Sequence, residues 1–178
     1  MERINAILER EEEVLEILLF KLVETRLILE AGELRFLSRS TREVERARTR
    51  AREIDLMRAT TVSQHRSGAT LRDLAAESPE PWPGILRDHH YLLSNLVAEI
   101  EVTAHLNSGE ARLGLEAIQR TKVSAGAVDV VGPVVEVDMS DPREGDAELA
   151  RLARGAAFES VLGTASRLRM PDLLDFLR

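Results

Sequence analysis

The sequence predicts an all-α protein: a long, coiled-coil-like antiparallel helical hairpin, with a short connecting helix and a C-terminal amphipathic helix packed on it. Three observations carry this expectation. Ala, Glu, Lys, Leu and Arg make up 92 of the 178 residues, the composition of coiled coils and long helices. Residues 1–66 contain a single glycine, Gly32, and no proline, so little punctuates a helix there. Leu8, Leu15, Leu22, Leu29 and Phe36 recur every seven residues, a repeat that holds one helix face against a partner.

Taken in order, residues 2 to about 64 read as one helix, roughly 90 Å long at the rise of an α-helix. Apolar density is highest over 14–29 and fades over 40–52, where Arg42, Arg46, Arg48, Arg50 and Arg52 alternate with Glu43 and Glu45. That run reads as a solvated face laced with charge pairs three and four residues apart. The rival reading, a phosphate-binding strip, lacks interleaved aromatics. Ser67-Gly68 ends the helix. Thr70 to Glu77 reads as a short capped helix, with Thr70 and Asp73 placed for a reciprocal cap. Pro79, Pro81 and Pro83 make 78–84 a rigid turn, in which Trp82 packs over the end of the hairpin. The second long helix runs from Ile85 to about Lys122, and it is about 38 residues long. Residues 124–145 form an extended linker; a strand pair over its valines would be marginal alone. Asp146 is placed to cap the final helix, whose apolar face includes Phe158, Val161, Leu162 and Leu168, and Pro171 breaks it. The domain plan is a hairpin over 1–123, the linker, and a tail over 146–178.

Acidic residues outnumber basic ones by 31 to 24, which argues against nucleic acid as a partner. The absence of cysteine excludes disulfides, thiolate metal sites and cysteine nucleophiles. No apolar run is long enough for a membrane span, and the first residues lack the pattern of a signal peptide, so a cytoplasmic location is expected. His89 and His90 point about 100° apart on a helix and cannot easily chelate one ion. Glu12 and Glu16 share a helix face without a cleft, and no water-excluding pocket is foreseen. The chain is therefore expected to be no enzyme and to need no metal or cofactor.

The order of these features resembles the FlgN-type flagellar export chaperones over about residues 1–122. The resemblance rests on the Leu-rich first helix (9–22), Leu29-Glu30-Ala31-Gly32, the charged extension, the Pro/Trp turn, and a second helix carrying Leu106-Asn107 and Leu113-Gly114-Leu115-Glu116-Ala117-Ile118. It implies a type III secretion chaperone that holds the amphipathic C-terminal helix of hook–filament junction proteins and delivers them to the flagellar export apparatus. The tail resembles the extreme C-terminus of flagellin-type junction proteins, through Phe158 to Leu168 and then Met170-Pro171-Asp172-Leu173-Leu174-Asp175-Phe176-Leu177-Arg178.

Length then places the binding surface. A helix of about 63 residues faces one of about 38, so part of the 14–29 stripe lacks cover, and exposed apolar stripes mark partner sites. The expected groove is Leu15, Leu18, Leu22 and Leu29 from the first helix with Leu96, Ile100, Leu113 and Ile118 from the second. The weak seam over 40–51 is a competing seat. The occupant is the tail itself, through Phe158, Val161, Leu162, Leu168, Leu173, Leu174, Phe176 and Leu177. The alternative is a structural scaffold, a homodimeric coiled coil or three-helix unit, in which the tail is a core helix.

Overall fold

The computed structural model describes the backbone of residues 1–127 and 142–168, and the side chains of 1–121 and 146–168. The all-α expectation is borne out: the described residues form five α-helices and one 3-10 turn, with no strand. The helices are α1 (Glu2–Glu30), α2 (Leu37–His65), α3 (Leu71–Glu77), α4 (Trp82–Ala127) and α5 (Pro142–Ser166), and the turn is Leu34–Phe36.

The continuous helix expected over 2–64 is instead two, broken at Gly32. Gly32 takes φ +69°, a left-handed conformation that costs residues with a Cβ more than glycine. The Gly32 N–H donates to Leu29 O (3.0 Å) and the Glu33 N–H to Ile28 O (3.1 Å). That pair of bonds is the Schellman ending, which satisfies carbonyls the helix end would orphan. The chain folds back, and α2 lies antiparallel on α1. Three pairings fix the register: Lys21–Glu43 at 2.6 Å and Arg58–Glu11 at 2.7 Å, and the Thr25 and Ser40 hydroxyls at 2.5 Å.

The capping box of α3 is present as expected: Thr70 Oγ1 accepts from the Asp73 N–H, and the Asp73 carboxylate accepts from the Thr70 N–H. Helix α4 is 46 residues long, longer than expected at both ends. Trp82 is its first residue and Pro83 lies in its first turn, where a missing N–H costs nothing. The expected linker is correspondingly shorter: 124–127 belong to α4, 142–145 to α5, and residues 128–141 lie outside the described residues. Asp146 falls inside α5, so it is not the cap.

Helix α4 runs parallel to α1. His89 contacts Asn5 and Glu12 near one end, and Asn107 Nδ2 donates to Leu22 O near the other. Helix α5 runs parallel to α2, through Ser160–Thr41 and Arg167–Glu45, and antiparallel to α4, where Phe158 lies against Gly114. The packed pairs α1·α2, α2·α5, α5·α4 and α4·α1 close a ring of four helices, with α3 resting on α4.

The apolar interior has two parts. The larger holds Leu8, Leu15, Leu18 and Leu22 of α1 against Val44 and Val62 of α2 and Leu86, Leu93, Val97 and Ile100 of α4. The smaller lies by the α1–α2 turn and joins Leu37, Ala111, Ala157, Phe158 and Val161. Of the 14–29 stripe, Val14, Leu15, Leu18 and Leu22 are thus covered inside the molecule, by α2 on one side and α4 on the other, whereas Ile17, Phe20, Val23 and Leu27 stay exposed. The arginine run of α2 behaves as a charged face: Arg39 pairs with Glu43, Arg48 pairs with Glu45, and Arg42, Arg46, Arg50 and Arg52 are exposed. No described helix is long and apolar enough to cross a membrane.

Candidate helix-binding groove

Helices α2 and α4 leave a groove between them, and α5 lies in it. Its wall on α2 is Leu37, Thr41, Val44, Glu45 and Arg48; its wall on α4 is Ala111, Gly114, Leu115 and Ile118. At the turn end, Ile28, Leu29 and Leu34 complete the apolar lining around Phe158.

The α5 side chains enter at helical spacing. Ala157, Phe158, Val161, Thr164 and Leu168 are buried, while Leu162 is half-buried. A Cβ placed on Gly114 would lie 2.6 Å from Phe158 Cε1, closer than packed carbons approach. Glycine at 114 therefore makes room for the ring. Polar contacts line the other edge: Ser160 Oγ donates to Thr41 Oγ1 (3.0 Å), Arg167 pairs with Glu45 (3.3 Å), and Arg48 Nη1 donates to Arg167 O (3.4 Å).

The floor of the groove is rich in hydroxyls. Leu22, Thr25, Thr41, Val44 and Asn107 meet Val161, Thr164 and Ala165 around a small cavity. The donors of Thr25, Thr41 and Asn107 are bonded beneath α5, while Asn107 Oδ1 is buried without a hydrogen-bond partner. The Thr25 hydroxyl donates to Lys21 O, the Thr41 hydroxyl to Leu37 O, and Asn107 Nδ2 to Leu22 O. Removing α5 would leave these bonds in place and would not orphan their donors, the usual penalty for opening a polar interior.

The expected groove residues divide accordingly. Leu29 and Ile118 pack around Phe158, and Leu22 lies under Val161. Leu15, Leu18 and Ile100 are in the main core, with Leu96 packed against it, so they line no open groove. Leu113 faces outward at 57 % exposure. The reason is the fold-back at Gly32: once α2 returns along α1, Leu15, Leu18 and Leu22 are interior, and the groove that α5 fills lies along the weak 40–51 seam of α2. Of the tail residues, Phe158, Val161, Leu162 and Leu168 sit on α2 and α4 or the core beside them. Leu173, Leu174, Phe176 and Leu177 lie outside the described residues. Gly114 and Thr41 were not foreseen; the small residue inside Leu113-Gly114-Leu115 was the available signal.

Two polar clusters tie the N-terminal half of α1 to its neighbours, one to α2 and one to α4. Arg58 and Glu11 are each 1 % exposed and paired at 2.7 Å, with Asp55 at 2.5 Å from the same guanidinium. Burial pushes the Glu11 carboxyl up to about 7, against the pull of Arg58. His89 bridges Glu12 and Asn5 at 2.5 and 2.9 Å. Among the described residues no group of three His, Cys, Asp or Glu side chains could hold a metal ion. No protein-family model matches the chain, and no curated protein or solved structure matches it either.

Proposed function

We propose that the protein is a helix-binding chaperone whose groove is occupied by its own tail helix. Its client in this reading is the amphipathic C-terminal helix of a flagellar hook–filament junction protein, kept soluble for delivery to the type III export apparatus. The observation that carries the reading is the seat of α5. An amphipathic helix lies in a groove whose floor hydroxyls are already bonded within α1 and α2, and a glycine receives its one aromatic anchor. This is the helix-in-groove mode of recognition, in which anchors at helical spacing carry the affinity. The client chemistry follows from the tail, whose sequence resembles the junction-protein terminus. Tethering through 128–141 would give the tail an effective concentration of roughly millimolar order. A client helix would then have to outcompete it.

One observation favours the alternative of a structural scaffold: Leu168, two residues past α5, packs into the main core. The two readings separate in one experiment. A protease site is introduced between 128 and 141 of the full chain, the purified protein is cut, and a fluorescent peptide spanning 142–178 is added. A chaperone exchanges its cut tail for the peptide while the remaining helices stay folded. A scaffold either holds its tail without exchange or unfolds when the tail leaves.

A further inference from the structure

The two ends of one face of helix α4 meet two different neighbours, with Val97 between them buried in the main core. Positions 83, 87, 90, 94, 97, 101, 104 and 108 recur at spacings of four and three, so they share one helix face. At the C-terminal end of the stripe, Glu101, Ala104 and Ser108 face the last turn of α5 and Leu168. At the N-terminal end, the same face meets α3 across an open groove of about 920 Å³. The groove is apolar at its base, with Leu71, Ala75, Pro83 and Leu86, and Arg72 and Arg87 stand at its edge.

Because α5 is antiparallel to α4, the C-terminal end of α5 points toward the α3 end of this stripe. The ten residues 169–178 follow. From Ala104 to His90 along α4 is about 21 Å, and ten extended residues reach about 33 Å. Their composition suits the groove: Leu173, Leu174, Phe176 and Leu177 are apolar, while Asp172 and Asp175 complement Arg72 and Arg87.

We propose that the α3–α4 groove is a second docking site for the chain's own C-terminal segment, residues 172–177. The apolar side chains fill the base and the two aspartates face the arginines. The tail is thereby held at two places, α5 between α2 and α4, and the last residues under α3. This inference does not depend on the chaperone reading, since a tail integral to a scaffold would dock in the same way.

The sequence contains no cysteine, so a pair introduced into the full chain reports one distance. Ala76→Cys with Leu177→Cys, treated with a short bismaleimide, should give an intramolecular cross-link in the monomer. A pair joining Leu177→Cys to Arg10→Cys, at an exposed position of α1, should react at least tenfold more slowly. Arg72→Glu with Arg87→Glu should slow the first cross-link roughly fivefold, the scale of two surface ion pairs. Adding Asp172→Arg with Asp175→Arg should restore it. These arginines are outside both apolar clusters, and an unchanged Tm confirms that the variants fold. Equal rates for the two cysteine pairs would overturn the proposal. So would cross-links formed only between two molecules, which assign the groove to a second copy, or a rate indifferent to charge reversal.

Discussion

Gly114 on α4 and Phe158 on α5 are matched across the seam: a single methyl group at 114 would stand 2.6 Å from Phe158 Cε1. Helix propensity alone favours alanine over glycine by about 1 kcal/mol. Overpacking a buried contact costs about 1–3 kcal/mol, and Phe158 is buried. Overpacking therefore wins, and Gly114→Ala should loosen α5. Phe158→Leu in the Gly114→Ala background should recover part of the loss. Urea unfolding of the two single variants and the pair closes a double-mutant cycle; additivity would show that the two positions are not matched.

Val161 and Leu162 are neighbours with different fates. Val161 is 2 % exposed, whereas Leu162 is half-buried at the groove edge. A carboxylate at 161 has no route to water and no partner, which should cost several kcal/mol. At 162 it can turn outward. Val161→Asp should raise amide exchange throughout 157–166, while Leu162→Asp should do so far less. Equal effects would mean that α5 is rotated from the orientation described.

The pH response of stability should carry the signature of Glu11. Its folded pKa, about 7, lies above the ordinary 4.5 because of burial. The native state then holds the proton more tightly than the unfolded state between those values. The contribution is complete below pH 4.5 and is lost as pH rises through 7. Glu43 acts in the opposite sense. Its hydrogen bond to Lys21 lowers its pKa, so its contribution is lost on acidification. Comparing wild type with Glu11→Gln isolates the first effect. The stability advantage of wild type over the variant should fall by on the order of 2 kcal/mol between pH 4.5 and pH 7.5. An advantage that grows with pH would contradict the assigned burial.

The Arg58–Glu11 pair should be far more costly to halve than to remove. Arg58→Met leaves a buried carboxylate without its cation, a loss of about 3–5 kcal/mol. Glu11→Leu with Arg58→Met replaces both charges by apolar groups and should be near neutral. Denaturant midpoints at pH 7.5 check both. A double variant as damaged as Arg58→Met alone would show that the pair contributes more than it costs to desolvate.

How much of this was legible in the sequence follows from how local each determinant is. The α3 capping box needed only Thr70 and Asp73, three residues apart, and the buried face of α5 needed only the spacing of Phe158, Val161 and Leu168. The fold-back at Gly32 was hidden because the heptad from Leu8 to Leu29 continues in register to Phe36. Periodicity reports a face, not whether the axis reverses. Ala31-Gly32 held the turn signal, and it was outweighed. That one missed reversal displaced the groove, sending Leu15, Leu18 and Ile100 into the core and giving α5 the Thr41–Arg48 edge. The Arg58–Glu11 and His89–Glu12 contacts join residues 47 and 77 positions apart. No spacing rule reaches that far.

The central claim is that α5 is a separable occupant of the groove and not a member of the core. Native-state hydrogen exchange on the full chain tests it most directly, because local opening and global unfolding register as different protection free energies. Amides of 157–166 should exchange through an opening well below the free energy of global unfolding, while amides around Leu15, Leu18, Leu93 and Ile100 should exchange only on global unfolding. Protection of 157–166 equal to that of the α1 and α4 interior, with the same denaturant dependence, would make α5 a core helix and contradict the account.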